Sequence, residues 1–468
     1  MQRVLTVVVS ALVLVAAACG SSGGSSGEEA EEESTTTTVA TSEAGFGDLE
    51  SPCGPGEATV APDEGPSTDS LVIGVPNDRG AAAIGRPGLN KELWDASQAF
   101  AQWCNDQGGI QGLEIELVDL DGEAINVEAA MTQACTEVFA LVGGGFVQDQ
   151  LEFSGRPESD FHECGLIDIP AFAVSIDKSL SNGKVEPIPN PANAGATQWV
   201  EDFVELYPEE SAEMMVVTGD LPSFESVQRL FETAAEREGV ELLEPSIYPF
   251  TGADDWAPYA DRVIESGATS IYFIGAPDNA TSLLTKLREK GWEGISLHQT
   301  NAYDRVVLET GADAAEGMVV RTAFHPFEEA ERWPAVQQYL DMIAEVPDGK
   351  VASLGLQSMS AWLLFAVAAG TCADENDGVI DRTCVLNEAD AVEEWTAGGL
   401  HAPADPGSDE PPTCGMLMTV NDGGFERLWP ELHGDGDDLD GFSCPEDGIV
   451  TADVSDLGEG AVDPDRPI

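Results

Sequence analysis

The sequence predicts an α/β protein of two doubly wound parallel-sheet lobes. Three observations predict it. From Leu71 onward, short apolar runs alternate with stretches whose apolar residues recur at helical spacing. The connections are short, so successive strands run parallel and helices cover both sheet faces. The alternation then restarts after a Pro/Asn-rich loop, Pro187–Pro191, which gives two units with a cleft between them. In the first unit, 71–75 reads as a buried strand. Residues 91–106 read as a helix, with Leu93, Ala96, Phe100 and Trp103 at three- and four-residue steps and Gly108-Gly109 ending it. A second strand is expected over 115–120. Asn126 is expected to cap a helix with Ala130, Ala134 and Val138 on its inner face. A third strand, 139–142, ends in Gly143-Gly144-Gly145. A third helix leads to Cys164, and 166–174 holds a fourth strand. The second unit reads as helix 200–206, strand 214–218, helix 226–238, strand 246–250, helix 256–266, strand 270–274, helix 281–290 and strand 295–299.

The N-terminus reads as an export and anchoring device. Arg3 supplies a positive start, Val4 to Val15 form an apolar run too short to span a bilayer, and Ala16-Ala17-Ala18 suit a signal peptidase. Cys19 follows, and the arrangement resembles a bacterial lipobox. That implies a signal peptide over 1–18 and a lipidated Cys19 at the mature N-terminus. Residues 19–69 read as a disordered tether, because Gly and Ser carry no apolar surface and the acidic block repels itself. The expected location is the extracytoplasmic face of the cell membrane. Ala361 to Ala369 is apolar, but short enough for a buried core helix.

Formal charge is −66, from 20 Lys and Arg against 86 Asp and Glu spread along the chain. A basic nucleic-acid surface is excluded, because phosphate would be repelled. The acids read as a solvated surface. Nine cysteines less Cys19 leave an even number in an oxidising compartment, where disulfides are the natural reading. There is no CxxC, no Cys/His zinc set and no HExxH among the five histidines. Asp435, Asp437, Asp438 and Asp440 fail the EF-hand pattern, since Leu439 takes a ligand position and the closing Glu is missing. No G-x-S-x-G elbow is present. The reading is a binding protein without metal, cofactor or catalytic residues. A secreted lipoprotein hydrolase is the less favoured alternative.

Several phrases carry a family resemblance. WCNDQGGIQGLEIELVDLDGE (Trp103 to Glu123), GADAAEGMVV (Gly311 to Val320) and GLQSMSAWLLFAVAAG (Gly355 to Gly370) stand in the order and spacing found in type I periplasmic binding proteins. The chain resembles in particular the leucine/isoleucine/valine-binding-like components of branched-chain amino acid ABC transporters. The resemblance implies a three-crossover hinge, with lobe one over 70–190 and 323–412, lobe two over 191–322 and 413–440, and an acidic tail over 441–468. Met416 to Val420 would return to lobe two. It also implies that Cys135 and Cys164 are a disulfide pair. Cys384 and Cys414 bracket a Pro/Gly/Asp-rich insertion that a bond between them would staple. Cys53, Cys104, Cys372 and Cys444 are left unassigned.

Ligands of open α/β sheets bind beyond the carboxyl ends of the strands. Those loops contribute Asn77, Asp78 and Arg79 after the first strand, and Ala173 and Ser175 after the fourth. The glycine run is expected to offer backbone N–H groups to a ligand carboxylate or polar group. The resemblance places Phe146, Gln148 and Asp149 where the family presents a hydroxyl, Thr300 or Asn301 at its second-lobe acid, and Phe224 at its covering aromatic. Asp278 or Asp78 is then expected to supply a carboxylate, and Arg79 to pair with an acidic ligand group. The expected partners are a small amino acid, amide or related solute and the permease subunits of an ABC transporter, with the receptor monomeric. A sensory module on the same lobes is the alternative.

Overall fold

The computed structural model describes residues 45–149, 151–445, 447–458, 462–464 and 466. The signal segment, Cys19 and the tether before residue 45 lie outside the described residues. Strand β1 (Thr59–Val60) is followed by β2 (Ser70–Asn77), β3 (Glu114–Asp121), β4 (Ala140–Val142) and β5 (Asp168–Ile169). Strand β2 is buried along its whole length, the pattern of a central parallel strand covered on both faces. It pairs with β3 from Ser70–Glu114 to Asn77–Asp121, and with β4 through Ile73–Ala140. The order in this lobe is β3-β2-β4-β5, all parallel.

The chain crosses through β6 (Ala194–Ala196) to β7 (Glu213–Gly219), β8 (Glu241–Tyr248), β9 (Ser270–Ile274), β10 (Ile295–His298) and β11 (Val319–Thr322). It returns to lobe one for helices Pro334–Glu345 and Ser353–Glu375 and for β12 (Val379–Ile380). It crosses again to β13 (Met416–Asn421) and β14 (Gly424–Trp429), and β15 (Ile449–Thr451) then pairs antiparallel with β6. The second sheet runs β14-β13-β11-β10-β9-β7-β8, with β13 alone reversed, antiparallel to both β11 and β14. Two α/β lobes are the fold class expected from the sequence, and the C-terminal segment returns to lobe one in addition to the three expected crossings.

Helix Lys91–Asp106 keeps its expected bounds. Its Phe100 stacks on Trp362 with ring centroids 5.3 Å apart, joining it to helix Ser353–Glu375. That long helix meets the length and composition of a membrane span, but Trp362, Leu363, Leu364 and Phe365 are fully buried inside the lobe. It is a core helix, as read from Ala361 to Ala369. Other elements differ from expectation. The fourth strand is only Asp168–Ile169, because Pro170 offers no N–H to a ladder. Strand β8 begins at Glu241, not Ser246. Asn126 occupies the N-cap position without a capping bond, and its Nδ2 donates instead to Glu123 Oε2 at 2.8 Å.

The expected tether to residue 69 is corrected over its described part. Phe46 is fully buried against Trp103, Cys53 is bonded to Cys104, and β1 pairs with β12, so residues 45–60 belong to lobe one. Cys135 and Cys164 are joined, with Cα atoms 5.3 Å apart. The expected bond between Cys384 and Cys414 is not formed. Cys384 lies on a helix packed on Ser353–Glu375, whose last turn presents Cys372 to it. Cys414 stands beside the Gly415–Ser443 bridge and meets Cys444. The expected acidic tail is corrected too, since residues 449–458, 462–464 and 466 pack across both lobes.

Candidate ligand-binding cleft

A cavity of about 580 Å³ opens between the lobes where the strands of both sheets end, the position at which open α/β sheets bind ligands. Its volume suits a small organic molecule. The loop after β2 contributes Ile84–Asn90, and the segment after β5 contributes Ala171, Phe172 and Val174. Lobe two contributes Phe224, Phe250, Ile274–Asp278 and Gln299–Asn301, and the crossings contribute Ile188, Trp199 and Arg321–Phe324. Much of the wall is aromatic or aliphatic.

Charged side chains bridge the lobes at this cleft. Arg86 of lobe one donates to Asp278 of lobe two at 2.6 Å and to Asn279 at 3.1 Å. Lys350 of lobe one lies 2.8 Å from both Glu92 and Asp304. Asp304 caps the lobe-two helix Arg305–Ala315 by accepting from Val306 N. Burial pushes the Glu92 carboxyl above its ordinary value, against the opposing pull of Lys350. Burial works to lower Lys350, but the two carboxylates outweigh it and hold the ammonium above its usual range. Ser353 Oγ donates to Thr300 O at 2.5 Å, and Ser353 N donates to Tyr303 O at 3.0 Å. Three residues of the wall keep buried polar atoms without a hydrogen-bond partner among the described residues: Asn90 Nδ2, Thr300 Oγ1 and Gln357 Oε1. Leaving such atoms unpaired costs roughly 1–3 kcal/mol each.

The expected lobe-two residues Phe224, Asp278, Thr300 and Asn301 all line the cavity. The expected lobe-one residues do not. Asn77 and Asp78 are fully buried. Asn77 Nδ2 donates to Val75 O and Asp119 Oδ1. Asp78 accepts the backbone N–H groups of Ala124 and Val147, each at 2.7 Å. Burial pushes its carboxyl up to about 6, against those two hydrogen bonds. Arg79 pairs with Asp119 and lies over the Trp94 ring. Phe146 packs in an apolar cluster with Leu120 and Met131. Gln148 is absent from the cavity wall, where its neighbour Val147 appears. Ala173 is buried, and Ser175 caps a short helix by accepting from Lys178 N. Of the expected residues, the lobe-two set reaches the cavity wall, while Asn77 and Asp78 are held inside lobe one by their own hydrogen bonds.

The glycine run is not a ligand cradle. A Cβ at Gly143 would lie 2.4 Å from Trp362 Nε1, one at Gly144 2.3 Å from Pro76 O, and one at Gly145 2.7 Å from the Phe172 ring. The run lets β4 pass under the core helix. Sequence reasoning missed Arg86, Lys350, Gln357 and Arg321, which carry no local motif. Ser360 and His401 Nε2 stand 2.8 Å apart, but both are buried. His401 Nδ1 faces Ala402 O, and burial lowers the ring to about 4. That pair is sealed core structure, not a hydrolytic dyad. Cys372, Asp381 and Cys384 come close enough to share an ion, but their two sulfurs form a disulfide.

The family model described as "Periplasmic binding protein" matches residues 72–424. Solved structures share the architecture. The leucine-binding protein LivK of Thermotoga maritima is 16% identical with a TM-score of 0.59, over 77% of this chain and 97% of its own. LivJ of Streptococcus pneumoniae, in complex with isoleucine, is 15% identical with a TM-score of 0.58, over 77% of this chain and 100% of its own. A fatty acid ABC transporter substrate-binding protein from Thermomonospora curvata is 17% identical with a TM-score of 0.58, over 88% of this chain and 97% of its own. No curated protein matches the chain.

Proposed function

The chain belongs to the periplasmic binding protein family, and from that premise we propose that it is a lipid-anchored solute receptor feeding an ABC transporter. It captures a small organic solute of the amino acid, amide or related carboxylate class between its lobes. It closes over that solute by hinge motion and delivers it to a membrane permease. The observation that carries the reading is the cavity itself. It is built from both lobes at the carboxyl ends of their strands, with Arg86 and Lys350 bridging them. A solute touching both walls favours the closed arrangement by its differential affinity for it. The lipobox-like run ending at Cys19 supports anchoring, which would keep the receptor near a permease. Relatives that carry isoleucine or serve fatty acid transport support two ligand classes on this fold.

The test is isothermal calorimetry on the full mature chain against amino acids, amides and small carboxylic acids, paired with small-angle scattering. A binding solute is expected to release or absorb heat, raise Tm and shrink the radius of gyration. If no member of the panel does any of these, the receptor reading is wrong.

A further inference from the structure

The charges around the cavity are unevenly matched. Four carboxylates line it, and each already has a cation: Glu92 and Asp304 share Lys350, Asp278 holds Arg86, and Glu186 lies 3.0 Å from Lys184. None is without a cation, and Glu92 and Asp304 are themselves buried. Arg321 is the opposite case. It stands on β11 where the chain leaves lobe two, half-buried in the cavity wall. Its Nε donates to Gln299, whose Nε2 in turn donates to Tyr272. Its guanidinium lies 5.3 Å from the centre of the Trp199 ring. Among the described residues it has no carboxylate partner, and neither Nη nitrogen makes a hydrogen bond. Burial pulls it below its ordinary value, against a smaller opposing pull from Tyr272.

A guanidinium so placed is oriented but electrostatically unsatisfied, and its remaining N–H fork matches a carboxylate. The rest of the wall says what the carboxylate is attached to. Phe172, Trp199, Phe224, Phe250 and Ile274 present apolar surface, which stabilises hydrocarbon by about fourfold in affinity per buried methylene. Resting on the receptor reading above, we infer that the solute is an apolar monocarboxylate without an ammonium group, its carboxylate held by Arg321 and its hydrocarbon body lying against the aromatic wall. A zwitterionic amino acid would bring an ammonium with no free acid to meet it, and that unpaired buried charge works against binding.

Calorimetry with sodium butanoate, hexanoate and octanoate, with leucine, and with octanamide tests this. Affinity is expected to rise about fourfold per methylene until the cavity fills, with octanoate at least tenfold tighter than leucine and octanamide well below octanoate. R321Q is expected to lose roughly tenfold to a hundredfold for octanoate and several-fold less than that for octanamide, which has no charge to lose, and R321K to recover part of the octanoate loss. If R321Q does not fold, the octanoate to octanamide ratio in the unmutated protein still reports the charge. Tight leucine binding with weak octanoate binding would overturn the inference and leave the solute receptor standing. Equal octanoate affinity in folded R321Q would overturn the role of Arg321. Silence from every solute would overturn both readings.

Discussion

Asp78 shows why a polar residue at the end of a strand need not face a ligand. Its carboxylate ties the loops at Ala124 and Val147 together from inside lobe one, so removing it orphans two backbone donors. D78A is expected to lower stability by roughly 1–3 kcal/mol in denaturant melts with solute affinity unchanged; loss of affinity without loss of stability would return Asp78 to the site. His298 gives a pH-dependent counterpart. It ends β10 fully buried, with Nε2 unpartnered, and burial lowers it from 6.5 to about 3. The unfolded chain therefore binds a proton below pH 6.5 that the folded chain refuses. Stability is lost as pH falls from 6.5 toward 3, by about 2 kcal/mol at pH 5 for this group. Asp78, Asp149 and Asp202, each raised by burial from 3.8 to about 6, act in the other direction and lose native stability as pH rises between those values. H298Q is thus expected to flatten the fall in Tm from pH 7 to 5 relative to the unmutated chain, and an unchanged slope would disprove a neutral buried ring.

Periodicity made helix Lys91–Asp106 legible to the residue, because its burial repeats every three to four positions within a single element. The C-terminal segment is illegible in sequence for the converse reason, since its composition is acidic and the contacts that hold it to the lobes are distant. Strand β15 pairs with β6, and Arg229 on helix Pro222–Arg237 reaches Asp456 through Nη1 at 2.5 Å and Nη2 at 2.9 Å. Val454 packs with Ile176 and Ala192. Asn182 of lobe one donates to the backbone oxygens of Asp463 and Arg466. Arg466 reaches Phe161 O and Leu166 O, and burial lowers it to about 10. The segment is a strap from lobe two to lobe one. The double variant N182A/R466A is expected to cost roughly 1–3 kcal/mol and to speed amide exchange over 449–466 more than in β2. Equal exchange in the variant and the parent would show that the strap does not hold.

Across the whole molecule, closure and charge work together. The ion pair of Arg86 with Asp278 joins the lobes at a partly exposed position, with the two side chains 12% and 44% accessible, so its worth is modest. R86A is expected to weaken solute binding about two- to fivefold and to enlarge the radius of gyration of the solute-free protein; tighter binding would mean that the pair opposes closure. A formal charge of −66 repels itself over the surface, and salt screens that repulsion. Tm is expected to rise between 10 mM and 1 M NaCl, and a flat or falling Tm would show that the acids are compensated locally. Local pattern was enough for the strand and helix alternation and the division into two lobes, because burial period and turn residues act between near neighbours. The loop side chains that reach the cavity, the partners of Cys384 and Cys414, and the guanidinium left without an acid all waited on the folded chain. Each depends on a distant partner: Arg86 and Asp278 are 192 residues apart, and Arg321 is distinctive only because Glu92, Asp278 and Asp304 are already paired elsewhere.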